Sequence, residues 1–211
     1  MTDPTPDRHL KTREMITVVL LAVTAVLTAW SGFESSKWGG EMSIAFSQAS
    51  SKRIEAARET GVANSARSID LQIFGIYLQA LSTKNTELET FARDRFTDRF
   101  NVAFTQWEAT KPLKNPQAAK SPFALDSYVP PGTLEAAAAD KMADEKFQQA
   151  LDFNQRGDNY TLLTVLFALV LFFGAFANRF RSHRPSWLLL GGAGVLLVVG
   201  LGLLLSFPKI I

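Results

Sequence analysis

The sequence predicts an all-α membrane protein. It has three transmembrane helices and, between the first two, a long helical-hairpin, coiled-coil-like extracytoplasmic stalk. Three observations predict this. Residues 15–33, 160–178 and 187–207 are apolar runs of 19 to 21 residues without Asp, Glu, Lys or Arg, and about 20 such residues cross a hydrocarbon core as a helix. The charge lies elsewhere: residues 34–159 hold 15 of the 22 Lys+Arg and 17 of the 20 Asp+Glu. That insert also keeps all five of its prolines in one stretch, which leaves long segments free to be helical.

The chain opens on a basic tail, residues 1–14, with Arg8, Lys11 and Arg13. The tail suits the n-region of a signal peptide. The apolar run after it exceeds the about 7–15 residues usual there, and Ala29-Trp30-Ser31 is a poor small-x-small cleavage site, so the run reads as a retained first span. A second basic cluster, Arg179, Arg181 and Arg184, occupies the short link 179–186 between the other two spans. With three spans, tail and link lie on one side, and the positive-inside rule makes it cytoplasmic. The insert 34–159 and the tail 208–211 are then external. Trp30, Trp38 and Tyr160 fall at the outer interface and Trp187 at the inner one, as interfacial aromatics do.

Within the insert, residues 41–81 lack proline and read as one helix, with Gly61 the expected kink. Ser82-Thr83-Lys84-Asn85 breaks the pattern. Thr86-Glu87-Leu88-Glu89 then matches a capping box, in which the threonine oxygen takes a backbone N–H and Glu89 reaches back. A second helix is expected to run on to residue 110. The stretch 111–132 holds Pro112, Pro116, Pro122, Pro130, Pro131 and Gly132 and cannot be helix. Thr133 is the expected N-cap of a third helix that continues into the second span. At about 1.5 Å per residue the lengths close if 34–60 pairs with 133–159 and 61–81 with 87–109.

Heptad spacing supports that pairing. Thr17, Thr24, Thr28, Ser31 and Ser35 share one face of the first helix, and the seam continues through Trp38, Met42 and Ala45. Gly157, Thr161, Thr164, Ala168 and Ala175 mark the seam of the second span. Val62, Ala66, Ile69, Ile73, Ile76 and Ala80 form a third. A 3.5-residue period keeps one face toward a partner, and small residues let helices approach closely in lipid.

Composition excludes several chemistries. There is no cysteine, and the two histidines, His9 and His183, both sit at membrane edges, so neither thiolate chemistry nor a His-rich metal site is expected. The insert has a net charge of −2, which gives no footprint for nucleic acid. No phosphate-binding loop, nucleophile elbow, zinc-protease helix or dinucleotide fingerprint occurs. No cofactor and no catalytic residue are expected.

Four features carry a functional and a plain reading. The Thr17–Thr24–Thr28–Ser31–Ser35 stripe suits a pore lining, but hydroxyls at helix contacts also bond their own backbone, and the stripe carries no charge. Glu34, Lys37, Arg156 and Asp158 at the outer rim suit a charged gate or catalytic cluster. Without a nucleophile–base pair they read as interfacial pairing that fixes register. Arg93-Asp94-Arg95-Phe96-Thr97-Asp98-Arg99-Phe100 suits a docking site, or an amphipathic helix with phenylalanines inward and charges outward. Asn159-Tyr160-Thr161 matches a glycosylation acceptor, but its place at the membrane edge argues against use.

The segment Thr28-Ala29-Trp30-Ser31-Gly32-Phe33-Glu34-Ser35-Ser36-Lys37-Trp38-Gly39-Gly40 adds a likeness. With Lys111-Pro112-Leu113-Lys114-Asn115-Pro116 and Gly157-Asp158-Asn159-Tyr160, it resembles a group of small uncharacterised bacterial membrane proteins. These have one N-terminal span, a helical insert and two C-terminal spans. The likeness covers most of the chain. It implies a bacterial inner-membrane location and the three-span layout, and it carries over no catalytic residue.

The expected function is a non-enzymatic membrane scaffold or accessory protein whose partners are the lipid bilayer, further copies of itself in a homo-oligomer, or an envelope protein. The alternative is a homo-oligomeric channel lined by the hydroxyl stripe. An external enzyme or ligand sensor with the Pro-rich loop as a lid stands third. Burial of the stripe within one protomer favours the scaffold; a symmetry axis lined by Thr24 and Thr28 favours the channel.

Overall fold

The computed structural model describes residues 8–112, 114–179 and 183–210, with only the backbone of 8–11 and 183. The side chains of Arg8, Lys11 and Arg181, and of both histidines, lie outside the described residues. Those described are all-α: α1 (Arg8–Thr83), α2 (Thr86–Arg93), α3 (Asp98–Ala109), α4 (Thr133–Ala177) and α5 (His183–Ser206), with a 3-10 turn at Pro122–Ala124. Three helices, α1, α4 and α5, are long and apolar enough to cross a membrane.

Helix α1 runs 76 residues and is continuous through Gly61, where a kink was expected. Its end is abrupt. Lys84 takes the left-handed conformation (φ 53°), and the Asn85 N–H reaches back to the Ala80 carbonyl at 2.9 Å. This is the Schellman closure, with lysine where glycine is usual. Asn85, not Thr86, then caps α2: its side chain accepts the Leu88 N–H at 3.0 Å. The cap therefore lies one residue before the expected capping box, because an asparagine with extended backbone already supplies the acceptor.

The expected second helix is two helices. Residues 94–97 form a turn between α2 and α3, and Thr97, at ψ 151°, precedes α3 in extended conformation. The turn allows Thr97 and Arg99 both to face α1. The third helix begins at Thr133, one residue earlier than a cap at Thr133 would place it, and Gly132 takes the cap position, its carbonyl receiving the Ala136 N–H at 2.8 Å. Gly132 has φ +83°, and a Cβ there would stand 2.5 Å from the Glu59 backbone oxygen, so only glycine fits.

The chain divides into two compact units. One comprises Met1–Ser47 with Lys146–Ile211, the other Gln48–Glu145. In the first, Trp38, Tyr160, Leu163, Phe167 and Leu204 form a buried cluster drawn from α1, α4 and α5. Gly200 permits the α4–α5 approach, since a Cβ there would lie 2.5 Å from Leu166 Cδ2 and 2.6 Å from Phe167 Cε1. In the second unit the core is mostly aromatic. Phe74, Tyr77, Phe96, Phe100, Phe104 and Tyr128 pack with Ala92 and Ala103, and Trp107 and Phe123 close the edge. Ring centroids lie 4.8 Å apart for Phe96–Phe100 and 4.9 Å for Phe96–Phe104 and Phe123–Tyr128, mainly edge to face, the arrangement aromatic quadrupoles prefer.

Candidate functional site

The hydroxyl stripe of the first span faces inward. Thr17, Thr24 and Ser31 are fully buried, and Thr28 and Ser35 are half-buried. Thr17, Thr24 and Thr28 donate to the carbonyls of Arg13, Leu20 and Thr24 at 2.9, 2.7 and 2.8 Å, each one turn back on α1. Such bonds let a hydroxyl sit in an apolar contact without an external partner. Ser35 alone reaches across. It donates to the Gly157 carbonyl at 3.1 Å and lies 2.9 Å from the Thr161 hydroxyl. A Cβ at Gly157 would meet Ser35 O and Trp38 Cβ at 3.6 Å, so the two helices are in van der Waals contact there.

Farther along α4 the buried face is not the expected seam. Thr161, Ala168 and Ala175 are exposed and Thr164 is half-buried, while Tyr160, Leu163, Phe167, Val170, Gly174 and Ala177 are buried. The face lies about one residue from the heptad reading. A two-stranded seam supposes one partner, and α4 has two: α5 packs on Phe167 and Leu163 through Leu204, which turns the buried arc toward it.

Among the described residues no ion pair joins Glu34, Lys37, Arg156 and Asp158, so the expected charge pairing is not formed. Glu34 is fully buried and accepts the Ile210 N–H on Oε2 at 3.0 Å. Arg156 lies over the Trp38 ring, 4.7 Å from its centroid, a cation–π contact. Asp158 takes a hydrogen bond from Asn154 at 3.1 Å, and Lys37 is exposed. Glu34, Arg156 and Asp158 thus each have a neutral or aromatic partner. On the same face of α1, Ser31 Oγ, Glu34 Oε1 and Trp38 Nε1 are buried without a hydrogen-bond partner among the described residues.

The charged residue missed by sequence reasoning is Asp70. It is fully buried in the second unit. Arg99 Nε donates to its Oδ2 at 2.8 Å, the Tyr128 hydroxyl to the same oxygen at 2.8 Å, and the Thr97 hydroxyl to Oδ1 at 2.7 Å. Arg99 also donates to the Ala66 carbonyl at 3.2 Å. A buried charge is tolerated when it is paired and its lone pairs are filled, and here three donors from α3, its cap and the Pro-rich loop converge on α1. Tyr128 is pushed up to about 12, first by burial and then by its bond to Asp70. Tyr77 is raised as well, chiefly by burial and secondarily by Glu108.

The Arg93–Phe100 segment also differs from expectation. Phe96 and Phe100 are buried as expected, but Arg99 points inward to Asp70. Arg93 makes a two-pronged bond to Glu108, at 2.6 and 3.2 Å, and lies over the Phe104 ring. Arg95 stacks on Phe91, 3.4 Å from the ring centroid.

Beside this core lies an apolar cavity of about 380 Å3. It is lined by Tyr77, Leu78 and Leu81 of α1, Phe104, Trp107 and Glu108 of α3, and Lys111, Pro112 and Lys114 of the following loop. Among the described residues no three acidic or histidine side chains are grouped to hold a metal ion. Comparison with protein-family models, with curated proteins and with solved structures returns no match for the chain.

Proposed function

We propose that the protein is a non-enzymatic scaffold of the bacterial inner membrane. In this reading three spans anchor residues 34–159 outside the cytoplasm, and that domain associates with a second copy or with an envelope partner. The observation that carries the reading is an apolar stripe on α1 that the protomer leaves uncovered: Val62, Ile69 and Ile76 are 44%, 59% and 37% exposed. They stand seven residues apart and flank the face that packs the aromatic core. A row of exposed apolar residues at heptad spacing suits a helical partner.

Two further features support the scaffold over the channel. The hydroxyls that would line a pore are turned into the protomer, three of them bonded to their own helix. The lipid-facing surface of the spans, including Val18, Val26, Leu162, Leu188 and Val198, is apolar. The external placement of the insert rests on Arg13, Arg179 and Arg184 with the basic residues near them.

The test is native mass in nanodiscs together with cross-linking from position 69 in intact cells. The parent chain is expected as an oligomer, or joined to an envelope protein. The double variant Ile69→Glu/Ile76→Glu is expected to be monomeric and unjoined, at unchanged thermal stability. A parent that is monomeric and cross-links to nothing overturns the reading.

A further inference from the structure

The cavity beside the aromatic core has a chemistry that the scaffold reading does not use. Its walls are hydrocarbon: Leu78 and Leu81 from α1, and Phe104 and Trp107 from α3. Its one acid, Glu108, is already neutralised by the two-pronged bond from Arg93. Its two cations are not. Lys111 and Lys114 are exposed at the rim, and neither has a carboxylate partner among the described residues.

The lysines are also placed by the backbone. Lys111 is held left-handed, at φ 50°, as the residue that closes α3 after its cap Thr110, with its N–H on the Glu108 carbonyl at 2.9 Å. Its carbonyl accepts the N–H groups of Lys114 at 2.8 Å and Asn115 at 3.0 Å, which folds both lysines into one tight turn. Opposite charge is therefore wanted at one segment of the rim, and apolar surface at the walls. A volume of about 380 Å3 lies at the low end of ligand sites, which suits one chain rather than two.

We propose that this cavity binds a single-chain anionic amphiphile: the alkyl chain lies against Leu78, Leu81, Phe104 and Trp107, and the carboxylate meets Lys111 and Lys114. The site is independent of self-association. Affinity rises about threefold to fourfold for each added methylene, until the cavity is filled.

The test uses the full chain in nanodiscs with a diazirine-bearing laurate, and maps the cross-linked peptides by mass. Labelling is expected on Tyr77, Leu78, Leu81 and Trp107, and laurate should compete it away at concentrations where dodecanol does not. Lys111→Glu/Lys114→Glu should cut labelling at least tenfold with thermal stability unchanged, since both side chains are exposed. Leu81→Glu, at the wall, should do the same. Labelling confined to the spans overturns the site. Equal competition by dodecanol overturns the anionic class, and equal competition by a diacyl phosphatidylglycerol overturns the single chain. Stronger displacement by a peptide with an apolar C-terminal residue would assign the cavity to a protein partner instead.

Discussion

Asp70 shows how one residue can organise a unit. Removing a carboxylate from water is unfavourable unless the geometry of its partners is good, and Asp70 is met by a guanidinium, a phenol and a threonine hydroxyl. Arg99→Met is expected to destabilise the second unit by about 3–5 kcal/mol, because it strands a buried charge. Tyr128→Phe removes one hydrogen bond to a charged group and is expected to cost about 1.5–3 kcal/mol. Thermal scans and hydrogen exchange over residues 66–80 measure both. The Tyr128 phenol also sets a pH window. Below its ordinary value of 10.0 it is neutral whether the chain is folded or not. Between there and about 12 the unfolded chain releases the proton while the folded one holds it. Its stabilising share is therefore complete below the lower value and is lost as pH climbs through the upper one. Tyr128→Phe should make the alkaline decline shallower, and Tyr77, raised in the same direction, should keep it from vanishing. Nothing in the local sequence Ile69-Asp70-Leu71 marks this acid as buried. The signal was one position away: Ala66, Asp70, Ile73, Tyr77 and Ala80 keep the same 4–3 spacing as the isoleucine seam, and the aromatic partners in α3 decide between the two.

At the scale of helices, the sequence was legible where a rule is local. The spans follow from apolar length, the 111–132 loop from its prolines, and the Ser35–Gly157 contact from small residues in matched positions. It was illegible where a helix has more than one neighbour. The α4 seam holds beside α1 at Gly157 and fails at Ala168 and Ala175, since α5 contributes Leu204 to the same core. The break at 94–97 was hidden too, because the repeated Arg-Phe pairs fit an unbroken helix equally well. The glycines of α5 can be separated on the same grounds. A Cβ at Gly200 runs into Leu166 and Phe167, while one at Gly202 meets nothing within 4 Å. Gly200→Ala should therefore overpack the α4–α5 contact and cost about 1–3 kcal/mol, with Gly202→Ala near neutral. Unfolding in detergent measures the difference, and equal melting of the two variants would contradict the packing described.

For the whole molecule, the proposed topology makes a separate claim. Single cysteines at Ser82, Ser182 and Lys209, in a chain with no cysteine of its own, can be probed with an impermeant thiol reagent in intact cells. Labelling is expected at 82 and 209 with protection at 182; the reverse pattern would invert the protein in the membrane. The Asp70 network has a further consequence, in time rather than in space. Arg99 is 29 residues from Asp70 along the chain and Tyr128 is 58. Loop closure grows costlier with length, by about 0.6 kcal/mol per doubling, so the nearer arm closes sooner. The expected order of assembly is α1 with α3 first and the Pro-rich segment last, and pulse-labelled hydrogen exchange in which amides around Tyr128 gain protection before those of α3 would contradict it. The same experiment run under partly unfolding conditions is expected to show exchange around Tyr128 ahead of exchange in α3.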